Sequence, residues 1–246
     1  VGALESKAAV VTGGSRGIGR AIVERLAADG AMVVFNYARS DEDAAAVERA
    51  VDGAGGKAHA VRIDFTDPGA ADALMRAAAE RLDGFDILVN NVALNEPHSI
   101  AETSDELWEQ TMAVNAGTTF RTIRHAARTM REGGRIINIS TMNTLRPAPG
   151  LAAYAASKGA IEQLTKIAAA ELGDRGITVN AVCPGATETD LLRGTNPESV
   201  LEQIPALTAL GRLGQPADIA DVVGMLASHD ARWLTGQVIP ATGGMV

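Results

Sequence analysis

Ala8-Ala9-Val10-Val11-Thr12-Gly13-Gly14-Ser15-Arg16-Gly17-Ile18-Gly19 joins a short apolar run to a helical pattern through four glycines. Ala8–Thr12 reads as a strand, and Ile18–Ala28 places Ile22 and Leu26 on one helical face. Glycine permits a tight turn and lets backbone come close to a phosphate. The helix start then presents unpaired N–H groups and a partial positive charge to that phosphate. The spacing is G-x-x-x-G-x-G rather than the commoner G-x-G-x-x-G. A strand–helix turn that merely needs small residues reads the same way, so the rest of the chain has to decide.

The same alternation continues outward. Met32–Asn36, Ala58–Ile63, Ile87–Asn90, Arg135–Ser140, Thr178–Cys183 and Gly236–Pro240 read as strands. Helical patterns lie between them. Ser40 caps one before Asp41-Glu42-Asp43, and Asp67-Pro68 opens the next. Long helical stretches cover Glu106–Met130 and Ala153–Leu172, and a last helix covers Ala217–Ala227. Continuous Val/Ile/Leu strands between helices predict a sheet buried on both faces. The fold class is therefore α/β, a single-domain, Rossmann-like doubly wound parallel sheet of about seven strands with helices on both faces. That domain spans 1–246, and the irregular stretch 187–211 reads either as a substrate lid or as a surface helix pair.

Composition narrows the class. A hydrophobic content of 46% supports a packed core, and a net charge of −8 argues against nucleic-acid binding. Cys183 is the only cysteine, so no intrachain disulfide forms, which suits a reducing compartment. His59, His98, His125 and His229 lack zinc-ligand spacing, so no metal is expected. There is no membrane-length apolar run, and Glu5 and Lys7 do not fit a signal peptide. The expected location is cytoplasmic.

Two other motifs overlap the glycine turn. Gly14–Gly19 has P-loop spacing, but Arg20-Ala21 stand where Lys-Ser/Thr is required. Gly13-Gly14-Ser15-Arg16-Gly17 also matches the G-x-S-x-G nucleophile elbow of α/β-hydrolases. An esterase using Ser15 would draw on Asp218 or Asp221 with His229, which keep the required chain order. It would leave the next feature without a role.

Tyr154 and Lys158 are four residues apart on a helix and therefore share a face. A phenol with a pKa near 10 is a poor acid at neutral pH. An ammonium about 5 Å away contributes roughly 3 kcal/mol at an effective dielectric of 20, or roughly two pKa units toward phenolate. Such a pair suits general acid/base work on a hydroxyl/carbonyl couple.

The glycine spacing, this pair and the distance between them resemble the short-chain dehydrogenase/reductase superfamily. Further matches are Asn90-Asn91, Asn115, Pro184-Gly185 and Gly243-Gly244, so the resemblance spans essentially the whole chain. It implies a catalytic set of Asn115, Thr141, Tyr154 and Lys158. Tyr154 would transfer the substrate proton, Lys158 would lower its pKa and hold the nicotinamide ribose, and Asn115 would position a water. Thr141 stands where relatives usually carry a serine, and Ser140 precedes it, so either hydroxyl remains a candidate to hold the substrate oxygen. The family's Asn-Asn-Ala-Gly reads here Asn90-Asn91-Val92-Ala93.

The resemblance implies dinucleotide contacts at Gly13, Ser15, Arg16, Gly17, Ile18, Gly19, Asn36, Arg39, Ser40, Asn91, Ala93, Tyr154, Lys158, Pro184, Gly185, Thr187 and Thr189. Asp64 joins them as an adenine contact, or else caps the helix near Asp67. No acid follows the second strand before Asp41, and Arg16 and Arg39 are placed to pair with a 2′-phosphate, which predicts NADP(H). Leu94, Asn95, Met142, Asn143, Leu145, Leu191 and Leu192 are the pocket candidates. They are mainly apolar, as a small-molecule ketone or secondary alcohol requires. The nearest general resemblance is to 3-oxoacyl-carrier-protein reductases and broad-specificity ketone reductases. Arg175 could meet an acidic carrier, but Glu132 stands where a second base would help. A non-catalytic NADP-binding protein is the other class in play. Relatives usually form homotetramers, and the apolar Met245-Val246 end suits burial at an interface or a frayed terminus.

Overall fold

A computed structural model describes residues 2–245. Seven parallel strands form one sheet in the order β3-β2-β1-β4-β5-β6-β7. They are β1 (Ala8–Val11), β2 (Met32–Tyr37), β3 (Lys57–Arg62), β4 (Ile87–Asn90), β5 (Arg135–Ile139), β6 (Thr178–Pro184) and β7 (Val238–Ala241). Successive strand residues feed opposite layers. Ala9, Val11, Val33, Phe35, Val89 and Ile137 face one core, while Val10, Val34, Leu88, Ile136 and Val179 face the other. That two-sided burial is why the strands read as unbroken apolar runs.

One layer is built from α1 (Gly17–Ala28), α2 (Asp41–Gly53) and α10 (Pro216–Ala227), through Ile22, Leu26, Val47, Ile219 and Val223. The other holds α3 (Ala70–Ala79), α5 (Thr118–Thr129) and α6 (Ala152–Leu172). Strand order reverses between β1 and β4, so the ligand crevice of such a sheet opens at their carboxyl ends.

Local chemistry moves some boundaries. Ser40 does cap α2, accepting from Asp43 N at 3.1 Å. The helix expected at Asp67-Pro68 starts at Ala70 instead, after Gly69 in a left-handed conformation at φ 78°. The stretch expected as one helix is α4 (Asp105–Met112), a π-helical turn (Ala113–Gly117) and then α5. The last strand begins at Val238, because Gly236 adopts φ 69° and lies in the preceding turn.

Stretch 187–211 carries three short helices rather than a helix pair. It holds α7 (Asp190–Thr195), α8 (Glu198–Leu201) and α9 (Ile204–Leu207). Leu201 and Ile204 pack on Met142 and Met245 in a small third core. Met245 is thus buried within its own chain, and Val246 lies outside the described residues. No helix among the described residues is long and apolar enough to cross a membrane.

Candidate active site

The glycine turn is held by two amides. Asn36 Oδ1 accepts from Gly13 N at 2.8 Å while its Nδ2 donates to Ile63 O at 2.9 Å. From the other side, Asn91 Nδ2 donates to the carbonyls of Thr12 and Gly13, each at 3.0 Å. Thr12 Oγ1 adds bonds from the N–H groups of Asn91 and Val92. Asn36 and Asn91 therefore shape the loop with their side chains. A Cβ on Gly19 would lie 2.0 Å from Gly13 O, and Gly13 and Gly17 sit at φ 69° and 54°. These positions demand glycine.

α1 starts at this turn with Arg16 as N-cap, without a side-chain cap and without an acid in its first turn. Its N–H groups are thus open to an anion. Arg16 and Arg39 are both exposed and form no ion pair among the described residues. This donor-rich turn flanked by two guanidinium groups fits a dinucleotide pyrophosphate with a further phosphate. Thr189 overhangs Gly17, its Cγ2 lying 3.3 Å from where a Cβ would stand, so the start of α7 borders the turn. Thr187 Oγ1 donates to Gly185 O at 3.0 Å, and Thr189 Oγ1 caps α7. Ser40 is engaged as a helix cap. Asp64 Oδ1 accepts from Thr66 N and Oγ1 at 3.0 and 2.9 Å, closing a local turn rather than capping α3.

Tyr154 and Lys158 project from the first turns of α6. Lys158 is 1% exposed, and its Nζ donates to Ile139 O at 2.7 Å, lying 5.8 Å from the Tyr154 ring centroid. Burial lowers its pKa to about 8. Burial raises the Tyr154 phenol, against a smaller lowering by the Thr141 hydroxyl. The expected lowering of the phenol by the ammonium is therefore not what the geometry produces. The ammonium sits by the ring and bonds a carbonyl, and desolvation dominates. The phenol keeps its proton at neutral pH.

The two hydroxyls at the end of β5 point apart. Thr141 faces Tyr154, whereas Ser140 Oγ donates to Glu162 Oε1 at 2.7 Å. Asn115 lies in the π-helical turn and is fully buried. Its Oδ1 accepts from Leu94 N at 2.7 Å, and its Nδ2 donates to Leu94 O and Ser157 Oγ at 3.0 and 2.9 Å. The side chain thus ties the segment after β4 to α6.

The pocket candidates divide. Leu145 and Leu191 are 61% and 47% exposed, whereas Met142 is buried on the 187–211 helices with Leu192 beside it. Asn95 Oδ1 is buried without a hydrogen-bond partner. Asn143 N donates to Thr141 Oγ1 at 3.3 Å. Sequence reasoning missed Ser157, Thr12 and Glu162. Glu162 had a signal, because it continues the four-residue spacing of Tyr154 and Lys158.

The esterase alternative fails on geometry. Ser15 follows the carboxyl end of β1, whereas His229 follows α10, and the adjoining Ser228 O lies 3.4 Å from Arg135 Nε at the start of β5. The two stand at opposite edges of the sheet, roughly a twelve-residue helix or 18 Å apart. Asp218 is paired with Arg212, and Asp221 with Arg25. Arg175 is likewise engaged, by Glu132 Oε1 at 2.8 Å and by the carbonyls of Ala127 and Met130.

Comparison with known proteins places these features in a family. A family model described as enoyl-(acyl carrier protein) reductase matches residues 13–246. An uncharacterized oxidoreductase of Methylorubrum extorquens is 44% identical, over 98% of both chains. An NADPH-dependent aldehyde reductase-like chloroplastic protein of Arabidopsis thaliana is 37% identical over 99% of this chain and 95% of its own. A 3-oxoacyl-[acyl-carrier-protein] reductase of Staphylococcus aureus is 38% identical over 98% of each. Among solved structures, a Serratia marcescens short-chain dehydrogenase/reductase superimposes with a TM-score of 0.93 at 42% identity, covering 98% of both chains. An angucycline C-6 ketoreductase with bound NADP gives the same score and identity, covering 99% of this chain and 97% of that one.

Proposed function

The chain belongs to the short-chain dehydrogenase/reductase superfamily, and from that premise we propose that it is an NADP(H)-dependent reductase of small-molecule ketones. The observation that carries the reading is the half-buried Tyr154 phenol facing Thr141, one helical turn from a buried Lys158. A phenol in its acid form can give a proton to a carbonyl oxygen, and its conjugate base can take one back from an alcohol.

When bound, the nicotinamide supplies the hydride. The chain's residues do the rest. Thr141 donates a hydrogen bond to the carbonyl oxygen and orients it. Tyr154 passes its proton to that oxygen as negative charge builds there, and the Lys158 ammonium favours the phenolate left behind. Asn115 fixes the helix that carries both against the segment at Leu94. The turn at Gly13–Gly19 holds the pyrophosphate, and Arg16 and Arg39 take the 2′-phosphate. NADP(H) use is supported by the missing acid after β2, by the relative named as NADPH-dependent and by the ketoreductase with bound NADP.

Free ketones are the favoured substrates over carrier-bound 3-oxoacyl groups. Arg175, the base that the sequence offered to an acidic carrier, is already paired with Glu132. The test is a panel of ketones and 3-oxoacyl carriers followed by NADPH absorbance. Turnover of the ketones with NADPH preferred over NADH is expected, and Tyr154→Phe should remove at least about 100-fold of it while NADPH still binds. Full activity in that variant would end the acid assignment. Binding without turnover of any carbonyl would leave a non-catalytic NADP-binding protein.

A further inference from the structure

Behind the Thr141–Tyr154 pair stands a carboxylate with no part in the reaction described above. Glu162 lies on α6 eight residues after Tyr154 and four after Lys158, on the same face of the helix. Its Oε1 accepts from Ser140 Oγ at 2.7 Å and from Thr144 Oγ1 at 2.6 Å. These donors bracket Thr141 in the chain, one at the end of β5 and one in the 3₁₀ turn Met142–Thr144. The thiol of Cys183 on β6 points at the same oxygen from 3.5 Å. Burial and this carboxylate push that thiol up to about 12, so it stays a donor. One oxygen thus ties three segments to the helix that carries the acid.

The arrangement has a steric consequence. Ser140 and Thr141 are neighbours on an extended strand end, so their side chains point to opposite sides. A one-residue slip there would exchange which hydroxyl meets Tyr154. A carboxylate only accepts, so Ser140 and Thr144 must turn their protons toward it and away from the crevice. Short O–H···O⁻ bonds of this kind are among the stronger neutral-to-ion contacts. Lys158 forms no ion pair with this carboxylate among the described residues, and its Nζ donates to Ile139 O at 2.7 Å.

We propose that Glu162 is a positioning residue that selects Thr141, and not Ser140, as the hydroxyl presented to Tyr154 and the substrate oxygen. It acts by holding Ser140 and Thr144 to α6. This rests on the reductase reading for its consequence, but the geometry it asserts can be tested without turnover.

The experiment compares Glu162→Leu and Glu162→Gln, each alone and combined with Thr141→Val. Glu162→Leu should lower kcat by about 10–100-fold with NADPH affinity kept within about twofold. Glu162→Gln should recover most of that loss, because all three donors converge on one oxygen that an amide also provides. Over Thr141→Val, Glu162→Leu should cost less than about twofold more, since its target is already gone. An unchanged kcat in Glu162→Leu, or its full loss repeated over Thr141→Val, would overturn the proposal.

A second readout needs no substrate. The chain has two tyrosines, so in a Tyr37→Phe background the carbon-13 Cζ resonance reports Tyr154 alone. Glu162→Leu and Thr141→Val should move that resonance alike, and no movement in Glu162→Leu sinks the idea even if no ketone is ever reduced. Should Glu162→Leu not fold, Ser140→Ala and Thr144→Val remove the donors singly and have to produce the same shift.

Discussion

The functional pair stores opposed electrostatics. Burial pushes the Tyr154 phenol up and the Lys158 ammonium down, so desolvation penalises each charged form, although Lys158 is still mostly an ammonium at pH 7. Lys158 titrates near 8 against 10.5 in an open chain, which makes the ionised side chain a burden of about 3 kcal/mol at pH 7. The sign is fixed by the depressed value: the penalty is complete below pH 8, shrinks as pH rises, and vanishes above 10.5. Lys158→Met should therefore lose turnover yet melt about 2–6 °C higher at pH 7, net of the carbonyl of Ile139 that loses its donor. The gain over wild type should fade in melts between pH 8 and 10. A variant that melts lower at pH 7 would show that the Ile139 bond outweighs desolvation. The spacing of Tyr154 and Lys158 was legible because four residues make one helical turn. The direction of the phenol shift was not, because burial belongs to the packed site and not to the spacing. For the same reason Asn36 reads as a ligand contact in the sequence but is engaged by Gly13 N and Ile63 O.

Elements were legible where one physical cause dominates a whole segment. Strands covered on both faces show as apolar runs, and Ser40 announces α2 because its hydroxyl takes an N–H that the helix cannot pair itself. The π-helical turn at Ala113–Gly117 left no trace in the pattern. It comes from a slip of the backbone ladder, and Asn115 on it reaches Leu94 and Ser157. The start of α3 moved because Gly69 could take φ 78° and delay the helix past Pro68. Glycines separate the same way when their surroundings are compared. A Cβ at Gly19 meets Gly13 O at 2.0 Å and Asn91 Nδ2 at 2.5 Å, whereas one at Gly53 in α2 meets nothing within 4 Å. Gly19→Ala should raise the NADPH dissociation constant more than about tenfold and lower the melting temperature, since the whole turn has to move. Gly53→Ala should instead stabilise by about 0.5–1 kcal/mol through the unfolded chain and leave binding alone. Equal binding by the two variants would remove the glycine turn from the dinucleotide site.

At the scale of the molecule, the proposed catalytic groups gather near the carboxyl ends of the central strands, and the outer helix faces lie apart from them. Those faces carry apolar side chains that the chain does not cover itself. Trp108 and Phe120 are 42% and 47% exposed on α4 and α5, with Ile167 at 57% on α6. Away from them in the chain, just before β7, Trp233 is 94% exposed beside Leu234 at 39%. Neither group was legible as surface in the sequence, where an apolar residue on a helix reads as core. Single exposed apolar residues are ordinary, but a dihedral tetramer needs two self-complementary patches, and these two sets of side chains are the candidates for them. The homotetramer implied by the superfamily resemblance is thus expected to use both. Light scattering should give four times the 25.4 kDa chain mass for the wild type. Phe120→Asp and Trp233→Asp should each stop assembly at a dimer, because each opens one interface and spares the other, while the double variant should be a monomer. A wild type that runs as a monomer at micromolar concentration would show that these side chains are mere surface, and a Trp233→Asp tetramer would remove Trp233 from the assembly.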